Sequence, residues 1–323
     1  MRVLLIGKHN MLNWLEHTAE AFALEENVEV ETLEINRLGW GEDLMRNIVK
    51  RMAKAPASQM VRRAIEKRIR RFSPDLILVI SPFLLDEGVT EALESVPAST
   101  VRIGWVGDRF GVRHKEAAGR FDLLYGTDSS FIDTAADLGF PPMRYLPLAV
   151  NERLFFDRGL TRMEEVLFIG APTPGRVATL NAIDAVDVRV VGKGWRRGGI
   201  GGGVRCDERT VGIDAVADAY NRAAYVLNIK HEHNVLNGLN MRSFEAPACG
   251  ACLLQDDVAD VVRNFDPGEE IVVYASAEEL NATLAGLRND YPRYDKIRQN
   301  GYRRVMAEHT FRHRVAAILS GIH

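Results

Sequence analysis

The chain has 323 residues, 46% hydrophobic and 26% charged, which is enough apolar material for two domains and shows none of the bias of disordered or low-complexity chains. Its net charge of −3 provides no overall attraction to nucleic acid. The apolar run in MRVLLIGKHN is too short for a signal h-region, and no segment is long enough to span a bilayer, so a cytoplasmic location is expected.

In chain order, 3–6 reads as a buried strand, 14–24 as a helix, 28–35 as a second strand and 76–80 as a third, introduced by Ser73-Pro74. Between the second and third strands lies a basic stretch, 46–71, with ten Lys or Arg and one acidic residue, Glu66. Ile48, Val49, Met52, Val61, Ile65 and Ile69 recur in it at roughly helical spacing, and Pro56 is expected to split it into two helices. Such a pair can contact an anionic membrane face or an acidic acceptor; it can equally be a solvated face whose apolar stripe packs on a sheet.

Strands at 101–106, 123–125 and 143–146 continue the alternation, with helices at 114–120 and 129–138. The polar connection 151–162 breaks the rhythm, and a second cycle follows with strands near 166–169, 188–191, 225–229, 251–254 and 271–274. The pattern is α/β: two Rossmann-like, doubly wound domains, 1–155 and 156–308. A dinucleotide fingerprint is missing from both. GKHNML after the first strand has one glycine where three are needed, and in VVGKGWRRGG Arg197 takes the third glycine position. The glycine-rich loop 198–203 is read as a connection in preference to a cover over a cleft.

LNGLNMRSFEAPACGACLLQDD, 236–257, is the most informative stretch. Asn240 can cap a helix over 241–249, Gly250 stops it, and 251–255 reads as a buried strand. Arg242 and Glu245 then share a face in the first turn, where a guanidinium can pair with a pyrophosphate and a carboxylate can accept hydrogen bonds from ribose hydroxyls. The alternative is a surface ion pair with Phe244 packed inward. Cys249 and Cys252 form a CxxC that straddles a helix end and a strand. Without a second CxxC it suits neither redox nor zinc chemistry. His231 and His233 lack an evident third ligand, so no metal site is expected.

LNI at 227–229, NMRSFEAPACGACLLQDD at 240–257, FDPGEEIVVYASAEEL at 265–280 and EHTFRHRVAAIL at 308–319 together resemble the CgeB-like glycosyltransferases, which belong with the group 1 glycosyltransferases of the GT-B fold. WVGD at 105–108, YGTD at 125–128 and YLPLAVNERLF at 145–155 fall in the same order. The resemblance implies two domains facing across a cleft, acceptor on the first and nucleotide sugar on the second, with the segment from about 309 to 323 returning to the first domain. It implies metal-independent transfer of a hexose from a nucleoside diphosphate sugar to a carbohydrate, lipid or protein acceptor, with no other cofactor. It gives Glu245 the donor ribose, and Arg176, after FIGAPTPG, matches an arginine of the family. The family often carries an acid eight positions before that glutamate; here the position is Asn237.

Charge accumulates on the departing diphosphate during glycosyl transfer, so cations are needed there. Arg242, Arg176 and Lys230 are the candidates, with Asn240 at the helix start. An inverting enzyme also needs a base at the carboxyl end of a strand in the first domain: Asp108 first, with His9 and Asp128 as rivals. An isomerase of nucleotide sugars, or a non-catalytic binding protein of an envelope or spore-like layer, are the alternative readings.

Overall fold

The computed structural model describes residues 1–10, 13–37, 54–230 and 236–322. His231 and His233, and positions 46–53 of the basic stretch, lie outside the described residues. The chain divides into two compact units: Met1–Pro147 with Glu232–Gly238 and Phe311–His323, and Leu148–His231 with Leu239–Thr310.

The first unit holds a six-stranded sheet of β1 (Arg2–Gly7), β2 (Glu29–Glu34), β3 (Leu76–Ile80), β4 (Val101–Val106), β5 (Leu123–Gly126) and β6 (Met143–Tyr145), in the order 2-1-3-4-5-6. All pairings are parallel. Helices α1 (Trp14–Phe22), α2 (Lys54–Phe72), α3 (Glu87–Ala92), α4 (Lys115–Ala118) and α5 (Ser130–Asp137) connect the strands. Because side chains alternate across a strand, Leu4, Ile6, Ile77 and Val79 share one face. They pack with Val61, Ile65, Ile69 and Phe72 of α2. Beside Trp105 of β4 lie Trp14 of α1, with ring centroids 4.9 Å apart, and Phe311 of the last helix, 6.3 Å away. The Arg314 guanidinium of that helix donates to the Pro147 carbonyl.

The expected split at Pro56 involves positions before 54, which lie outside the described residues. Pro56 sits in the first turn of α2, which runs unbroken from Lys54 to Phe72. A first-turn N–H has no intrahelical acceptor, so a proline there costs no hydrogen bond. The apolar stripe of α2 is buried in the core, while Arg63, Lys67, Arg70 and Arg71 sit at its surface.

The second unit holds β7 (Met163–Ile169), β8 (Asp187–Val191), β9 (Arg205–Asp207), β10 (Ala223–Asn228), β11 (Cys252–Asp256) and β12 (Val272–Tyr274), again all parallel, in the order 12-11-10-7-8-9. Its helices are α6 (Pro174–Asn181), α7 (Ile213–Arg222), α8 (Arg242–Ala248), α9 (Val261–Asn264), α10 (Ala277–Asn289) and α11 (Tyr291–Glu308); the final α12 (Phe311–Ser320) belongs to the first unit. Alternation along β7 sends Leu167 and Ile169 to a core shared with α7 and α8, and Val166 and Phe168 to one shared with α6 and α10. The short edge strand β9 lies in a stretch with too few apolar residues to signal it.

Candidate functional site

The order in the second unit is the doubly wound pattern that reverses between β7 and β10, and ligands of such sheets bind at the carboxyl ends of the strands beside that reversal. Ile169 ends β7 and Asn228 ends β10. One side chain bridges them: the Arg242 guanidinium donates to the Ile169 carbonyl and, at 2.8 Å, to Asn228 Oδ1.

Arg176 enters from α6, whose start is set by Pro174 and by the Thr173 hydroxyl, which accepts the Arg176 N–H. Its guanidinium donates to the carbonyls of Ala171 (3.0 Å) and Ile229 (3.1 Å). The two guanidiniums each lie 5.3 Å from the centre of the buried Phe168 ring. The Nε atoms of both are buried without a hydrogen-bond acceptor in the protein. Arg176 is only 7% exposed, so water does little to offset its charge. Burial, and then the charge of Arg242, push it down to about 10, against the pull of Asp256.

Burial opposes ionisation of the neighbouring carboxyls. Burial pushes Glu245 up to about 7, opposed by Arg242 beside it. Burial also raises Asp256, opposed by the Lys230 N–H and charge. A buried Arg176 beside the half-buried Arg242 is costly until an anion arrives. The arrangement can therefore hold a multiply charged oxyanion against Arg242 and Arg176, with Glu245 as a hydrogen-bond acceptor one helical turn away.

Behind the arginines, Asn228 Nδ2 donates to Ser243 Oγ (2.8 Å) and Gln255 Oε1 (2.9 Å), and Gln255 Nε2 donates to Asp256 Oδ1 (2.6 Å). The Tyr274 hydroxyl donates to the Asn228 carbonyl. The Trp195 indole donates to the Gly170 carbonyl at 2.9 Å and holds the loop between β7 and α6. A Cβ at Gly192, at φ +146°, would stand 2.2 Å from that same oxygen, so this approach requires glycine. Sequence reasoning missed this layer; the available signal was polar residues ending apolar strands, Asn228 in LNI and Gln255-Asp256 in LLQDD.

Asn240 is a strut: its Oδ1 accepts the Arg242 N–H and its Nδ2 donates to Asn228 Oδ1, so both ends of its amide are used internally. Lys230 sends its backbone N–H to Asp256 Oδ2. Helix α8 has only seven residues, with Pro247 among them, so its dipole adds little and the guanidiniums supply most of the positive field. Gly250, at φ +72°, ends it. Cys249 and Cys252 are buried free thiols, Cys252 pushed up to about 12 and Cys249 higher still by burial, which leaves them unsuited to redox chemistry. The loop 198–203 connects β8 to β9 and is pinned at Gly199 and Gly201 by the Asn181 amide.

The three candidate bases belong to the first unit. Asp128 is fully buried. Its Oδ2 accepts the N–H groups of Leu236 (2.7 Å), Asn237 (2.9 Å) and Gly238 (3.0 Å), and its Oδ1 those of Ser130 N (2.8 Å) and Oγ (2.6 Å). Five donors saturate a carboxylate, which makes Asp128 a loop anchor and not a base for a hydroxyl. Asn237, whose amide donates to Ser129 Oγ, completes that anchor; an acidic residue there would stand against the Asp128 charge. His9 pairs through Nδ1 with Glu16. Asp108 follows β4, half-buried at its carboxyl end.

A family model described as glycosyl transferase-like matches residues 176–320, a span containing Arg176, Lys230, Arg242 and Glu245. Residues 176–320 are thus similar to a glycosyl transferase-like domain. No curated protein sequence matches the chain. Among solved structures, the chain is similar to sucrose-phosphate synthase from Thermosynechococcus elongatus, at 14% identity and TM-score 0.70 over 99% of this chain and 97% of that one. HepE of Anabaena, in complex with UDP and glucose, is similar at 13% identity and TM-score 0.66 over 99% and 100%. The outer core galactosyltransferase WaaB is similar at 14% identity and TM-score 0.64 over 99% and 100%. The fold of the chain is therefore GT-B, with two parallel six-stranded α/β units.

Proposed function

We propose that this chain is a CgeB-like glycosyltransferase that transfers a hexose from a nucleoside diphosphate sugar to a carbohydrate, lipid or protein acceptor. The observation that carries the reading is the pair of guanidiniums, buried Arg176 and half-buried Arg242, at the reversal point of the second sheet, with buried Nε atoms that find no acceptor in the protein and with burial opposing ionisation of Glu245 and Asp256. A leaving diphosphate supplies the missing negative charge, and its charge grows as the glycosidic bond breaks, so the arginines favour the transition state over the ground state. No metal on the diphosphate is needed for this. Glu245 accepts the ribose hydroxyls, and Lys230 adds positive charge beside Asp256. HepE is seen with UDP, which makes UDP the first donor base to try.

The first unit holds the acceptor. In an inverting reaction a base at the carboxyl end of a strand in the first unit takes the acceptor proton, and Asp108, just after β4, holds that position. The chain works in the cytoplasm, and the exposed basic side chains of α2 bring it to anionic membrane surfaces. No helix among the described residues is long and apolar enough to cross a membrane.

Calorimetric titration of UDP, GDP, dTDP and CDP without added metal tests the reading, on the wild type and on Glu245→Ala. One nucleotide should bind the wild type selectively and lose at least tenfold in affinity with the variant. Equal affinity in both would remove Glu245 from the site, and absence of binding by all four would overturn the transferase reading.

A further inference from the structure

His9, Glu16 and Glu34 of the first unit come from three different elements and converge. His9 follows β1, Glu16 lies in the first turn of α1, and Glu34 ends β2, paired in register with Gly7 of β1. One ligand atom from each, an imidazole nitrogen and two carboxylate oxygens, all lie within 4.8 Å of one another. The loop bearing His9 is fixed before any ligand arrives: its N–H donates to Asn36 Oδ1 at 2.9 Å and its carbonyl accepts from Asn36 Nδ2 at 2.8 Å. Glu16 Oε1 meets His9 Nδ1, while Glu16 Oε2 is buried with no hydrogen-bond donor in the protein. A buried carboxylate oxygen without a donor is costly and calls for a cation or a proton. Among the described residues, Arg37 lies 3.7 Å from Glu34 and is largely exposed.

We propose that His9, Glu16 and Glu34 form a binding site for a divalent transition metal, with zinc and manganese as the fitting ions. One imidazole and two carboxylates make a mixed nitrogen–oxygen set, which suits these ions better than magnesium, with its preference for oxygen and retained water, and better than thiophilic ions. Ligand atoms around such an ion, bonded at about 2.0–2.2 Å, stand roughly 3–4 Å apart, so the cluster closes by a small movement of side chains. Three protein ligands leave coordination positions for water or a substrate oxygen. All three residues belong to the first unit. The inference does not depend on the transferase reading, because its readout is metal bound per chain.

Competition of the protein with a chromophoric indicator for Zn2+, and electron paramagnetic resonance of Mn2+ titrated into it, are measured on the wild type, Glu16→Gln and Arg37→Ala. The expected result is one ion per chain in the wild type, at least tenfold weaker in Glu16→Gln. Binding should be tighter in Arg37→Ala, because Glu34 then loses its competing guanidinium. Circular dichroism confirms that each variant is folded. A wild type that takes up neither ion at millimolar concentration would show that His9 and Glu16 are an imidazolium–carboxylate pair only, and would overturn the proposal. Equal affinity in all three proteins would place the ion elsewhere and overturn it as well.

Discussion

Glu245 links the candidate site to the stability of the fold through a proton. Burial carries its carboxyl from an ordinary 4.5 to about 7. Below about pH 4.5 the group is protonated in both folded and unfolded chains and contributes nothing. As pH rises from 4.5 to 7 the unfolded chain releases the proton and the folded one keeps it, so stability falls; above 7 both are ionised and the full penalty applies. At about 1.36 kcal/mol per pH unit the span corresponds to about 3 kcal/mol. Glu245→Gln removes the titrating group while keeping the shape. Urea unfolding of both proteins from pH 4.5 to 8 should therefore show the variant gaining about 3 kcal/mol on the wild type across the interval, with a plateau above pH 7. Nucleoside diphosphate should shrink that gain, because ribose hydroxyls donating to the carboxylate stabilise its ionised form. A stability difference that stays flat with pH would refute the reasoning, since it would mean that Glu245 is ionised in the folded protein at ordinary carboxylate pH.

Two other expectations follow from the packing around the sites. Asp128→Ala leaves the N–H groups of Leu236, Asn237 and Gly238 without their acceptor; it should cost about 3 kcal/mol or more and speed hydrogen exchange at those three amides ahead of the sheet. Trp195→Phe removes the donor to the Gly170 carbonyl while keeping an aromatic ring against Phe168. A loss of about 1–3 kcal/mol in urea unfolding should accompany weaker nucleotide binding.

Strand positions were legible because buried parallel strands are short apolar runs between polar segments, and 76–80 and 101–106 coincide with β3 and β4. Edge strand β9 carries Arg205, Cys206 and Asp207, and its composition says nothing about pairing. Pro56 reads as a breaker, and the structure describes it near the start of α2, where a proline costs no hydrogen bond. At the site, Arg242 and Glu245 stood out by spacing along one helix, but the partner that gives Arg242 its meaning, Asn228, is 14 residues away. Asp128 shows the same limit: as the last residue of YGTD it resembles a base in waiting, and only the fold brings it the three amides more than a hundred residues on.

The phenyl ring of Phe168 with two guanidiniums near it has a consequence for how this protein behaves in the laboratory. Like charges held close in a poorly solvated place weaken the empty protein, and an arriving anion removes that weakness. Buffer choice thereby becomes part of the protein's phenotype: phosphate or sulfate in a storage solution would occupy the arginines, raise the apparent melting temperature and compete with the nucleotide in the same experiment.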